Sequence, residues 1–212
     1  MSITNFNTVM IIGLGLIGSS IARGIKENKV FKKVYGIDIN NKNIKKCKKL
    51  KIISEGYNSL NEINEQVNLI VICTPLSTYK KIFSNINNYV SKKTLLTDVG
   101  STKVSVIEDY KSSIKNDNIY FLPAHPIAGL EKSGPEHGLS NLFENRYCIV
   151  TPIDTNDKFI NLISSMWESI GMKIEHMDPV KHDRVLAMTS HIPQLIAYSV
   201  VATATELEEN IK

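Results

Sequence analysis

Residues 9–18 read VMIIGLGLIG, and this stretch decides the fold. Val9–Ile12 is a short apolar run closing on glycine, which suits a buried parallel strand. Leu16–Glu27 then follows as a helix. Between them Gly13-Leu14-Gly15-Leu16-Ile17-Gly18 has the G-x-G-x-x-G spacing. Gly13 permits a tight turn, Gly15 lets the backbone approach a pyrophosphate, and Gly18 lets helix and strand pack closely. The phosphates would rest on unpaired N–H groups at the helix start, where the dipole favours negative charge. The spacing alone is a weak signal; its setting strengthens it. A second strand, Lys33–Ile37, closes on Asp38, about 20 residues after Gly18, where such folds carry their ribose-binding acid. A carboxylate there would accept from both ribose hydroxyls and repel a 2′-phosphate. NAD is therefore expected over NADP, with Lys42 close by as the opposing charge.

Outward from this unit, strands alternate with helices. A helix is expected over Lys42–Leu50 with Asn40 or Asn41 as its cap, a strand over Leu69–Cys73, and a helix over Leu76–Tyr89. A strand at Thr94–Thr97, a helix at Lys103–Ser112 and a strand at Ile119–Leu122 come next. Tyr147–Val150, Lys158–Ile170 and Lys173–His176 add strand, helix and strand. The pattern predicts an α/β fold with a Rossmann-type, doubly wound, mostly parallel sheet over residues 1–177. Asp178-Pro179 reads as an N-cap with proline at the first helical position, opening a long helix over 178–212. Pro193 should kink it. Leu195–Ala204 is apolar on nearly every side and should be buried all round, by a partner subunit or by further chain.

Composition limits the remaining possibilities. Of 212 residues, 42% are hydrophobic and 22% charged, which excludes disordered and fibrous classes. Lysines crowd 42–51, but no aromatic is interleaved, so a solvated helix face is expected rather than a nucleic-acid site. The uncharged run Met1–Ala22 lacks a basic leader region and is broken by glycines. Val185–Thr205 holds Pro193, Gln194 and several hydroxyl residues, making it a poor membrane span. Cys47, Cys73 and Cys148 form no C-x-x-C pair, as expected of reduced cytoplasmic thiols. No metal is called for.

A hydride acceptor needs a group to take the substrate's hydroxyl proton, and a neutral imidazole can serve near pH 7. His125 follows a strand end in PAHPIAG, where open α/β sheets bind ligands. Pro126 and Gly129 would hold it on a fixed loop. Ser101, in DVGSTK at another strand end, could donate to a substrate oxygen or the nicotinamide, or simply cap the next helix. His182, one turn into the last helix beside Asp183, reads as a capping or packing residue as readily as a catalytic one. Asp183, Ala187 and His191 share a helix face that could point at the cleft. His137 and His176 read as surface residues.

Taken together, these residues resemble the prephenate dehydrogenase family, with its arogenate and cyclohexadienyl members. The matching pieces are Gly13–Ser19, Thr74-Pro75, Asp98–Lys103, HPIAGLEKSGP at 125–135 and HDRVLAMTSHIPQLIAY at 182–198. The resemblance implies NAD-linked oxidative decarboxylation of prephenate or arogenate in tyrosine biosynthesis. His125 would deprotonate the ring hydroxyl with Ser101 beside it. Glu131, His191 and Gln194 would line the substrate site, and Thr74 and Pro75 the cofactor site. It also implies that 178–212 begins a helical dimerisation domain, hence a homodimer. Gln194 stands where many members carry a second histidine, and Leu130 where many carry threonine. The family's carboxylate-binding arginine would lie past Lys212, leaving Arg146 and Arg184 as local candidates, so this stretch alone is expected to turn over prephenate poorly. Two other readings compete. A β-hydroxyacid dehydrogenase would place a catalytic lysine on the long helix, where only Lys181 at its start is available. An inert NAD-binding dimerisation module is the other.

Overall fold

The computed structural model describes residues 7–153 and 156–211; residues 1–6 of the uncharged N-terminal run and Lys212 lie outside them. Strand β1 (Thr8–Ile12) leads into α1 (Leu16–Glu27), β2 (Lys33–Ile37) and α2 (Asn41–Lys49). There follow β3 (Glu55–Tyr57), β4 (Leu69–Ile72), α3 (Tyr79–Tyr89), β5 (Thr94–Asp98), α4 (Val104–Ser113) and β6 (Ile119–Leu122). These six strands form one parallel sheet in the order β3-β2-β1-β4-β5-β6, with its switch point between β1 and β4.

Both faces of this sheet are covered, which is why β4 is apolar throughout and β1 is apolar from Val9 to Ile12. Val9 and Ile11 point into one core with Ile21 and Ile25 of α1, while Met10 and Ile12 point into the other with Phe83 and Ile86 of α3. Each such side chain contributes roughly 1.5–3 kcal/mol by leaving water. In the second core Phe83 stacks edge-on against Tyr79 and Phe121, with ring centroids 5.8 and 5.5 Å away.

After β6 the chain crosses Pro123 into a smaller sheet. It comprises β7 (Ala124–Pro126), antiparallel to β8 (Tyr147–Val150), which runs parallel to β9 (Lys173–His176). Helix α5 (Asp157–Ser169) buries Ile163, Met166 and Trp167 against the first core. His125 therefore sits on a short strand rather than the expected loop, its register partner being Ile149.

The last segment opens as expected: Asp178 caps α6 (Pro179–Leu186) by accepting from the N–H groups of Val180 and Lys181 at 2.9 and 3.0 Å. Asn40 likewise caps α2 through the Lys42 N–H at 3.0 Å. Ahead of Pro193 the helix widens into a π turn, Ala187–His191, before α7 (Ile192–Ile211). The wider turn accommodates a ring that lacks an N–H and crowds the preceding carbonyl. The expectation that Leu195–Ala204 is buried is not met within one chain. Leu195, Ile196, Val200 and Val201 are 58–65% exposed, because no described element packs over them. By length and composition Pro179–Leu207 also meets the criterion for crossing a membrane, contrary to the poor span expected from its polar residues. Its first turns are nevertheless tied to α4, since Asp183 accepts from the backbone N–H groups of Lys103 and Val104.

Candidate functional site

The carboxyl ends of β1, β2 and β4 open onto a cleft of about 660 Å³. Gly13, Gly15, Asp38, Thr74 and Pro75 line it, together with Ile39, Asn43 and Lys81, which the sequence did not mark. Gly13 turns at φ 97°, and a Cβ on it would lie 2.6 Å from the Cys73 carbonyl oxygen. Gly18 does the packing expected of it: a Cβ there would come 1.9 Å from the Gly13 carbonyl oxygen. Leu16 is buried beneath the turn and Ile17 packs against the core, so both shape the turn from below rather than line the cleft. At Gly15, by contrast, an added Cβ would meet nothing within 4 Å. Gly15 also starts α1 without any side-chain cap or acidic residue in the first turn. An open space before uncapped helix N–H groups fits a pyrophosphate.

Asp38 fixes the cleft's other end. Its Oδ2 accepts from the Leu14 N–H at 2.8 Å and from Asn43 Nδ2 at 3.1 Å, and its Oδ1 from the Asn40 N–H at 2.8 Å. The acid thus ties the glycine turn to the end of β2 while holding negative charge at the cleft. Ile39, 94% exposed beside it, offers an apolar face of the kind a purine ring covers.

The candidate proton-handling group lies farther along the same sheet edge. Asp98 at the end of β5 and Lys103 before α4 form a fully buried ion pair, Nζ to Oδ2 2.7 Å. Asp98 Oδ1 accepts from the Ala124 N–H at 3.0 Å, and Lys103 Nζ donates to the Ala124 carbonyl at 2.7 Å. Both polar groups of the residue before His125 are therefore held. Burial pushes the Lys103 ammonium pKa down, against the opposing pull of Asp98. His125 Nδ1 meets His182 Nε2 at 2.9 Å, and His182 Nδ1 meets Asp183 Oδ1 at 2.7 Å. Burial pushes His125 down to about 3, helped by the charges of Lys103, His182 and His191 and opposed by Asp183. The imidazole is neutral near pH 7, as a proton acceptor must be.

The remaining candidates divide. His191, half-buried, is close enough for its charge to act on His125. Ser101 is exposed at the bend before α4 and does not cap that helix; the Asp183 carboxylate does, from α6. Glu131 is exposed on the loop after β7, and Gln194 reaches only Tyr198 Oη at 3.4 Å. That loop's far end is pinned to α1 by Arg23 donating to the Pro135 carbonyl and Ser20 Oγ accepting from the Leu139 N–H. Arg146 and Arg184 are both exposed, and Lys181 lies exposed in the first turn of α6. His182 is fully buried with its Nε2 against His125 Nδ1, and the cap of α6 is Asp178. In the sequence Asp98 and Lys103 stand out only as part of a matching stretch, His182 stays between capping, packing and catalysis, and Asp183 lies only on a helix face that could point at the cleft; none receives a role in the site there.

The nucleotide-binding domain model of prephenate dehydrogenase matches residues 21–176, and the dimerisation domain model of the same family matches 178–212. Cyclohexadienyl dehydrogenase of Zymomonas mobilis is 33% identical over 210 residues, covering 97% of this chain and 70% of that protein. Prephenate dehydrogenase of Bacillus subtilis is 32% identical over 197 residues; there the chain spans 53% of the relative's length. Among solved structures, prephenate dehydrogenase from Aquifex aeolicus in complex with hydroxyphenyl propionate and NAD+ aligns with a TM-score of 0.88. It is 33% identical, over 94% of this chain and 69% of that one.

Proposed function

The chain belongs to the prephenate dehydrogenase family of NAD-dependent oxidoreductases, and on that premise we propose that it carries out the NAD-linked oxidative decarboxylation of prephenate or arogenate in tyrosine biosynthesis. The observation carrying this reading is a neutral, rigidly seated His125 on β7, held through Ala124 to Asp98 at the carboxyl end of β5, the strand beside β4, at whose own carboxyl end the glycine-turn cleft opens. When bound, NAD+ would accept the hydride from the ring carbon that bears the hydroxyl. Gly13, Gly15, Asp38, Thr74 and Pro75 would hold it in the cleft, with Leu16, Ile17 and Gly18 setting the turn. The open cradle at Gly15 and the carboxylate of Asp38 support that fit.

His125 accepts a hydrogen bond from the ring hydroxyl and takes its proton as the ring oxidises, with Ser101 orienting the same oxygen. Loss of carbon dioxide leaves an aromatic ring, so the chain's task is to orient the reactants and handle the proton. Glu131, His191 and Gln194 bound the substrate pocket. Residues 1–177 serve as the cofactor domain, and the exposed apolar face of α7 pairs with a second copy in a cytoplasmic homodimer. The substrate class is supported by relatives that are prephenate and cyclohexadienyl dehydrogenases. NADH formation with prephenate and arogenate assayed in parallel tests the reading, with product spectra separating hydroxyphenylpyruvate from tyrosine. NADH formation from a β-hydroxyacid, and from neither cyclohexadienyl substrate, would overturn it.

A further inference from the structure

His125, His182 and Asp183 form a continuous chain of side-chain hydrogen bonds running from the sheet edge to the start of α4. The order of donors along it follows from chemistry. An ionised carboxylate only accepts. Asp183 is held in that state: burial pushes its pKa up, but hydrogen bonds from the Val104 N–H, from His182 and from the Lys103 N–H outweigh burial and bring it below the usual range. With Asp183 Oδ1 2.7 Å from His182 Nδ1, the proton of a neutral His182 must sit on Nδ1. His182 Nε2 is then a lone pair. At 2.9 Å from it, His125 Nδ1 must be the donor. The ring planes are 68° apart with centroids 5.1 Å apart, so the rings do not stack, and they meet through their nitrogens.

We propose that His182 and Asp183 are positioning residues that lock His125 in the Nδ1–H tautomer, leaving the lone pair on Nε2 as the proton acceptor of the reaction. Free neutral imidazole prefers the opposite tautomer, so an unpartnered His125 would present a proton where the substrate hydroxyl needs an acceptor. The inference rests on the dehydrogenase reading for the identity of the reaction, whereas the tautomer itself does not depend on it.

The pair is built to be rigid. His182 is fully buried, and Asp183 also accepts from the N–H groups of Lys103 and Val104 at the start of α4. The same carboxylate that orients the histidine thus supplies that helix's missing cap, locking α6 to α4 beside the Asp98–Lys103 pair. Substituting Asp183 would damage both roles, so His182 is the position at which they separate.

The test combines imidazole 15N NMR of the NAD+-bound protein near pH 7.5 with steady-state kinetics. The wild-type spectrum should show His125 protonated on Nδ1. His182→Phe fills the volume but accepts nothing; His125 should shift toward the Nε2–H form and kcat should fall by about tenfold or more. The NAD+ Kd and substrate KM should stay within about twofold. His182→Gln returns an amide oxygen to the same place and should restore both the Nδ1–H signature and most of the turnover. A wild-type His125 protonated on Nε2 would overturn the proposal, even if neither variant folds. So would an unchanged tautomer in His182→Phe, or equal loss of turnover in both variants. An Nδ1–H wild type in a protein that oxidises no cyclohexadienyl substrate would uphold the tautomer lock and refute the dehydrogenase reading instead.

Discussion

Lys103 Nζ lies 2.7 Å from Asp98 Oδ2 with both side chains fully buried, and the pair grips the Ala124 N–H and carbonyl between them. Removing one partner of a buried, hydrogen-bonded ion pair leaves an uncompensated charge, at a cost of about 3–5 kcal/mol. Lys103→Met should therefore lower the unfolding free energy by that amount, read as a lower urea midpoint with an unchanged m-value. A loss below about 1 kcal/mol would show the pair to be dispensable to the fold.

Acid should destabilise the fold through the histidine pair. The folded pKa of His125, about 3, lies below the ordinary imidazole value of 6.5, and that of His182 is also lowered. Between those values the unfolded chain binds the proton more readily, so stability is complete above about pH 6.5 and declines as pH falls toward 3, by at most about 1.4 kcal/mol per pH unit per group. The facing charges are Lys103, His191 and Asp183, the last opposing the shift. In urea unfolding between pH 7.5 and 4.5, His125→Asn should reduce the slope by about one proton. Equal slopes would mean that His125 titrates normally in the fold.

Asp38 should set the choice of cofactor. Its carboxylate lines the cleft at the end of β2 and ties down the glycine turn through the Leu14 N–H. The protein should bind NAD about tenfold or more tightly than NADP, and Asp38→Asn should narrow that gap by weakening like-charge repulsion. Calorimetry with both nucleotides measures it; tighter NADP binding by the wild type would refute the assignment.

The bare face of α7 should mediate self-association. Val200 and Ile196 are 62% and 58% exposed on a helix over which no described element packs. Val200→Lys should convert a dimer into a monomer in sedimentation velocity, since a charge in an apolar interface must be desolvated. A monomeric wild type would leave that face unexplained.

What the sequence made legible was local. The glycine turn, Asp38 and the apolar runs of β1 and β4 declare themselves within a few residues, because a strand covered on both faces is apolar wherever it is buried. Strand β3 escaped because three residues, Glu55–Tyr57, at a sheet edge carry almost no pattern. Strand β7 escaped because Pro123 and Pro126 bracket it and read as loop. Ser101 looked like a helix cap because serine suits that place, yet the actual cap comes from Asp183, about 80 residues later in the chain. The His125–His182 contact joins residues 57 apart, which no local spacing encodes. Lys103, in a run of small polar residues, gave no sign that it would be buried.

In the proposed reaction His125 accepts the proton while the cleft holds the nucleotide independently. The most direct measurement pairs NAD+ affinity with cyclohexadienyl-dependent NADH formation in the wild type and in His125→Asn. The account predicts NAD+ Kd values within about twofold of each other and a loss of turnover of about 10²-fold or more, however slow the starting rate. Undiminished turnover in the variant, or loss of NAD+ binding along with it, would contradict the account.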